Sequence, residues 1–244
     1  MLAPDALAGR VALVTGVTRR HGIGFAIADR LARAGAGLLL HHFGAREPAL
    51  PVAGSGVEWI EADLAEPDAP ARVVARAYER FGRLDVVVAN HTHWSAGGIA
   101  ELTAESLDRH LGVNVRASLL LVAELARRRP PGPGGRVVLL VSGQQLGPMP
   151  GEVAYAASKG ALAASTATLA DGLAAQGITV NAVNPGPTDT GWISDAQRPD
   201  LIARSPFGRV GVPDDAARLV TWLVSDDAAW VTGQVLSSDG GFRR

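Results

Sequence analysis

The chain has no cysteine. That excludes structural disulfides, thiolate metal sites and a cysteine nucleophile, and leaves the redox compartment open. Net charge is also scarce: 23 Lys and Arg against 24 Asp and Glu give −1 with histidine neutral. No global field therefore favours nucleic acid. Long apolar runs are missing as well. No stretch approaches ~18 unbroken apolar residues, so no membrane span is predicted. The opening stretch Met1–Arg10 carries Asp5 and no apolar run, unlike a secretory leader. A cytoplasmic protein is the expectation. What the chain does have is bulk: 244 residues, 47% of them hydrophobic, enough for a large core without a disulfide or metal staple. No internal repeat or linker divides it, and a single domain over 1–244 is predicted.

Short β-branched runs alternate with longer helical stretches. Strands are predicted at Val11–Thr15, Gly37–His42, Val57–Glu61, Val86–Ala89, Arg136–Val141, Thr179–Asn184 and Gln234–Ser237. Several are continuously apolar, as in strands covered on both faces. Helices are predicted at Gly24–Ala34, Ala69–Phe81, Ala104–Arg129, Val153–Gln176 and Asp214–Val224. This alternation predicts an α/β fold: a seven-stranded, parallel, doubly wound Rossmann-type sheet with helices on both faces. Arg127, Arg128 and Arg129 end the third helix, where cations suit the carbonyl end of a helix. The stretch 189–211 lacks periodicity and carries Gly, Pro and Trp192, and reads as a long mobile loop of the lid kind.

The first strand runs into Gly16, five residues from Val17 to His21, then Gly22-Ile23-Gly24 and a helix. A strand, a glycine-rich turn and a helix N-terminus make an anion site, because backbone N–H groups and the positive helix end converge on a pyrophosphate. An acid at the end of the second strand would bind the 2′-hydroxyl of NAD. The run Leu38 to Phe43 has none, while Arg19 and Arg20 lie in the turn and Arg46 just past the strand. Guanidinium suits a 2′-phosphate, which favours NADP(H) and leaves NAD(H) possible. His41 or His42 either stacks on adenine or serves the strand end.

Tyr155 and Lys159 are four apart in a predicted helix and share a face. Ser142 ends a strand thirteen residues earlier. A free phenol titrates near 10. A neighbouring ammonium and a nicotinamide cation favour its phenolate. Tyr155 then suits proton donation to a carbonyl oxygen as hydride reaches carbon, or the reverse. Ser142 suits a hydrogen bond to the same oxygen. Asn114, flanked by valines in mid-helix, needs polar partners, such as a water leading to Lys159.

These residues resemble the short-chain dehydrogenases/reductases over essentially the whole chain. The matching pieces are Thr15-Gly16…Gly22-Ile23-Gly24, Asp63-Leu64, Asn90, Asn114, Ser142, Tyr155-Ala156-Ala157-Ser158-Lys159, Asn184-Pro185-Gly186-Pro187 and Thr232-Gly233-Gln234…Asp239-Gly240-Gly241. The resemblance implies an NAD(P)H-dependent oxidoreductase of carbonyls and alcohols, with Tyr155 as general acid/base. Lys159 would bind the nicotinamide ribose, Ser142 would orient substrate and Asn114 would support a proton-relay water. Asp63 and Leu64 would meet adenine, and Asn90 the adenosine ribose region. Gly16, Thr18, Arg19, Arg20, Gly22, Ile23, Gly24 and His42 would serve the phosphates and the 2′ position, and Pro185, Gly186, Thr188 and Thr190 the nicotinamide side. No metal is expected.

Three features depart from the family. The five-residue glycine turn is longer, the acid on the second strand is missing, and Ala89-Asn90-His91-Thr92 stands where smaller residues are usual. His91 either packs there or crowds and polarises the site.

The nearest subgroup resembles bacterial 3-oxoacyl-acyl-carrier-protein reductases. Arg127–Arg129 are candidates for carrier docking, but Asp171 would repel an acidic carrier, so a free small-molecule carbonyl compound is favoured over the carrier-bound one. His93, Trp94, Gln144, Gln145, Leu146, Met149 and Trp192 are the candidate substrate pocket. The two tryptophans suggest an apolar or aromatic substrate, or simply a lid packed shut. A cofactor-binding scaffold without turnover is the alternative function. Small residues along the two long helices, including Ala156, Ala157, Gly160, Ala161, Ala164, Ala167 and Ala170, permit close helix packing, and with the resemblance they predict a homotetramer, with a dimer second.

Overall fold

The computed structural model describes residues 3–47, 52 and 56–243. Seven strands form one parallel sheet: β1 (Val11–Val14), β2 (Gly37–His42), β3 (Val57–Glu61), β4 (Val86–Ala89), β5 (Gly135–Leu140), β6 (Ile178–Asn184) and β7 (Val235–Ser237). Their order is β3-β2-β1-β4-β5-β6-β7. The strands are apolar on both faces because both faces are covered: β1, β4 and β5 are buried at every residue.

Alternation along each strand divides the core in two. Leu13, Leu39, Val87, Val137 and Leu139 meet α2 (Ala69–Phe81), α4 (Ala117–Arg128) and α5 (Val153–Leu173) on one face. Val14, Leu38, Leu40, Val88 and Val138 meet α1 (Ile23–Arg33) and α7 (Pro213–Leu223) on the other.

The expected helices appear with one informative difference. The span 104–129 is not a single α-helix. It is α3 (Ala104–His110), a wide turn over Leu111–Arg116 and then α4. In the wide turn the N–H of Ala117 reaches back five residues to the Gly112 carbonyl, and Asn114 lies inside it. Such bulges re-aim side chains and often mark functional sites.

The segment 189–211 contains a short helix, α6 (Arg198–Ala203), that the sequence pattern does not reveal. Its two ends are tied together. Gly211 donates to the Pro187 carbonyl at 3.0 Å and Asp189 donates to the Gly211 carbonyl at 2.8 Å, so the segment leaves and rejoins the body at one point.

The chain reverses direction across the sheet at β1, which has β2 on one side and β4 on the other. In open α/β sheets a crevice forms outside the carboxyl ends of the strands at such a switch point. The candidate site lies there. Among the described residues no helix is long and apolar enough to cross a membrane.

Candidate active site

A cleft of about 910 Å³ runs along the carboxyl ends of the strands. One end holds Asp63 and Leu64, and the other holds Ser142, Tyr155 and Lys159. Between them lie Gly16, Thr18, Arg19, Gly22, Ile23, Gly24 and Asn90, with Pro185, Gly186, Thr188 and Thr190 on the facing wall.

The glycine turn is built for close approach. Gly16 has φ +72°, and a Cβ there would sit 2.8 Å from the His91 Cα. A Cβ at Gly24 would sit 2.7 Å from Asn90 Nδ2 and 2.8 Å from the Gly16 oxygen. Asn90 holds this junction by donating from Nδ2 to the carbonyls of Thr15, at 2.9 Å, and Gly16, at 3.2 Å. Helix α1 begins at Gly22 with no side-chain cap and no acid in its first turn, so its leading N–H groups face the cleft without a competing side chain. A glycine cradle, an uncapped helix end and an elongated cleft fit a dinucleotide.

Two buried histidines brace the same turn. His41 Nε2 lies 2.9 Å from the Ala62 carbonyl, and the Gly16 N–H points at His41 Nδ1 from 3.3 Å. A carbonyl only accepts, so Nε2 carries the proton and Nδ1 accepts. His91 repeats the arrangement: Nε2 donates to the Val113 carbonyl at 2.9 Å, and the Thr15 hydroxyl donates to Nδ1 at 2.7 Å. Burial pushes His41 down to about 4 and His91 to about 3, the latter aided by the charges of His41 and Lys159. Both rings are therefore neutral single tautomers near pH 7. The sequence left each with two readings. The geometry makes both of them braces of the glycine turn, a role for which no local signal exists.

At the other end, Lys159 is 2% exposed and donates to the Leu140 carbonyl at 2.7 Å. Its Nζ lies 5.8 Å from the Tyr155 ring centroid. Burial lowers its pKa to about 8. Asn114 is fully buried and does not line the cleft. Its Nδ2 donates to the His93 carbonyl and to Ser158 Oγ, both at 2.9 Å, and its Oδ1 accepts from the His93 N–H at 2.7 Å. Ser158 Oγ in turn donates to the Tyr155 carbonyl at 2.8 Å. The side chain expected to hold a relay water is thus spent tying the β4 loop to the turn of α5 that carries Tyr155.

The remaining candidates divide clearly. His93, Trp94 and Trp192 line the cleft. His93 stacks edge-on to His110 with centroids 4.6 Å apart. Burial, then the charges of His110 and Arg109, depress its pKa. Gln144, Gln145, Leu146 and Met149 do not line the cleft. The Gln144 side chain turns toward Gly160 of α5 with its amide buried.

Arg20 and His42 also stand outside. The Arg20 backbone N–H donates to Glu47. His42 lies edge-on to Trp59 at 6.1 Å, and Arg46 stacks on the same indole at 4.1 Å. The strand-end cluster thus occupies itself, and Arg19 is the arginine of the turn that reaches the cleft. Residues not foreseen there include Phe43, Arg109, Ile193, Gln197 and Leu201. Among the described residues no group of three or more His, Asp or Glu is placed to hold a metal ion.

Comparison with known proteins agrees with this architecture. A family model described as enoyl-(acyl carrier protein) reductase matches residues 16–243. The oxidoreductase YjdA of Bacillus subtilis is 41% identical over 244 residues, covering 96% of this chain and 97% of that protein. Versicolorin reductase stcU of Emericella nidulans is 36% identical and covers 96% of each chain. The crystal structure of a short-chain dehydrogenase from Burkholderia cenocepacia in complex with NADP is 38% identical, covers 97% of this chain and 99% of that one, and superposes with a TM-score of 0.90. With a glycine-cradled cleft at the sheet's switch point and likeness of this extent to its members, the chain belongs to the short-chain dehydrogenases/reductases and is an oxidoreductase of that family.

Proposed function

We propose that this oxidoreductase is an NADPH-dependent carbonyl reductase of small molecules, with Tyr155 as the proton donor. The observation that carries this reading is the sharing of one cleft by the glycine cradle and by Ser142, Tyr155 and Lys159. A bound nicotinamide supplies the hydride. Tyr155 gives its hydroxyl proton to the carbonyl oxygen, and Ser142 donates a hydrogen bond that places that oxygen and offsets the charge developing on it. Lys159 is within reach of the Tyr155 ring and holds positive charge beside the phenolate left behind. Asn114 acts at one remove, by fixing the α5 turn under Tyr155 through Ser158.

NADPH is favoured over NADH because β2 ends in His41-His42 with no acid, while Arg19 lines the cleft. The Burkholderia relative binds NADP. A free small molecule is favoured over a carrier-bound acyl thioester because the basic helix end is already engaged. Arg127 and Arg128 pair with Glu124, and Arg129 donates to the carbonyls of Pro130, Gly132, Pro133 and Gln176. Trp94 and Trp192, 54% and 76% exposed, border the cleft and favour an apolar or aromatic carbonyl compound. The exposed small residues Ala157, Ala164 and Ala167 of α5 favour a homotetramer.

The test is NADPH oxidation with a panel of aliphatic and aromatic ketones and aldehydes. Turnover of any of them supports the reductase. Tight NADPH binding with no turnover across the panel would favour a cofactor-binding scaffold instead.

A further inference from the structure

Arg19 and Trp192 stand on opposite walls of the cleft, one on the glycine turn and the other on the 189–211 segment. The guanidinium carbon of Arg19 lies 4.5 Å over the indole centroid. The Arg19 backbone is held, because the Gly22 N–H donates to its carbonyl at 3.0 Å. Its side chain is not. Among the described residues the guanidinium has no hydrogen bond and no ion pair, and the stack on Trp192 is its one polar or ring contact. Asp189, a carboxylate of the same segment as Trp192, is taken by Arg198 at 2.7 Å. The indole itself is 76% exposed, an unusual place for so large an apolar ring unless its face is used.

A guanidinium is flat. Stacking consumes its face and leaves the in-plane N–H edge open, and that edge is what grips a phosphate in a two-pronged hydrogen bond. An unsupported arginine on an exposed turn would first have to give up its rotamer freedom to do so. We propose that Trp192 is a positioning residue for NADPH: the lid indole backs the face of Arg19 and holds its N–H edge ready for the phosphate that distinguishes NADPH from NADH. This rests on the reading of Arg19 as the 2′-phosphate ligand. The long five-residue glycine turn gains a purpose, since Arg19 at its centre stands out far enough to meet the lid while its backbone stays bonded to the turn. The 189–211 segment and cofactor specificity thereby become one device.

The experiment is calorimetric titration of the full-length protein with NADPH and with NADH, for wild type, Trp192→Ala, Trp192→Phe, Arg19→Ala and the double alanine variant. Trp192→Ala should weaken NADPH by about 3- to 10-fold and NADH hardly at all, in line with a partly exposed cation–π contact. Trp192→Phe should keep most of the wild-type affinity. The double variant should bind NADPH no worse than Arg19→Ala alone, because the indole acts through the guanidinium. If Arg19→Ala selectively weakens NADPH while Trp192→Ala leaves it unchanged, or weakens both cofactors equally, the positioning role is overturned and the phosphate reading stands. If Arg19→Ala affects both cofactors equally, the phosphate reading falls and takes this inference with it.

Discussion

The ammonium of Lys159 donates to the main-chain carbonyl of Leu140 at 2.7 Å, fixing the last residue of β5 to the α5 turn that carries Tyr155. Lys159 is the only lysine in the chain. Biosynthetic labelling with lysine carrying 13C at Cε should therefore give one side-chain NMR signal, and it should titrate near the value of about 8 that burial imposes. A midpoint above 10 would remove that burial effect. The sign for stability follows. The folded value lies below the ordinary ~10.4, so the buried charge costs stability below about pH 8, and that cost fades as pH rises from about 8 toward ~10.4. Carbonyl reduction should move the other way, losing kcat/KM above about pH 8 as the charge beside Tyr155 is lost.

Tyr155→Phe removes one hydroxyl and little else. Turnover should fall by a factor of ~100 or more, the usual scale of general acid catalysis, while NADPH affinity changes little. Retention of more than roughly a tenth of the rate would point to another proton donor.

His41 and His91 brace the glycine turn only as neutral rings, since each Nδ1 must accept a hydrogen bond. Their folded values, about 4 and about 3, lie below the ordinary ~6.5. Their contribution to stability is complete above ~6.5 and drains as pH falls from there toward the folded values. Melting temperature should decline between pH 6.5 and 5, above the range where most carboxylates titrate, while NADPH affinity, which depends on the folded rings, should hold until pH nears about 4. His41→Gln keeps a side-chain acceptor and donor but cannot titrate, and should flatten that slope. An unchanged slope in this variant would remove His41 from the account.

Gly24→Ala and Gly172→Ala separate space from helix propensity. A methyl at Gly24 meets Asn90 Nδ2 and the Gly16 oxygen, and neither can retreat while Asn90 ties both turn carbonyls. A loss of ~1–3 kcal/mol in chemical unfolding is expected, with weakened NADPH. A methyl at Gly172 in α5 meets nothing within 4 Å, and a gain of ~0.5–1 kcal/mol is expected. Equal effects at the two sites would contradict the cradle geometry.

Light scattering at micromolar concentration should give four times the 25.2 kDa chain mass. Replacing the exposed Ala164 and Ala167 of α5 with arginine should lower that mass. A wild-type monomer would count against the small-residue face as a contact between copies.

Much of this protein was decided locally. The strands are legible because parallel strands covered on both faces need unbroken apolar runs, and α1, α2 and α7 because each buries one apolar stripe at a 3.6-residue period. Tyr155 and Lys159 share a face by virtue of being four apart on one helix, whatever surrounds them. The glycine turn reads directly because only glycine tolerates the backbone approach at Gly16 and Gly24.

Side-chain direction in loops is another matter, because it is set by partners distant in the chain. Of two adjacent arginines, Arg19 reached Trp192 across the cleft while Arg20 stayed outside it. Of two adjacent histidines, His41 turned in to Gly16 and His42 out to Trp59. Asn114 was drawn away from the cleft by its hydrogen bond to Ser158, and the Gln144 amide lies buried outside it. Apart from α6 and the break within 104–129, the sequence by itself determined the elements, their order and the chemistry on offer, because backbone geometry and burial are written at short range. The tertiary structure alone decided which of those groups meet, because contacts between residues dozens of positions apart exist only once the sheet has brought them to the same end.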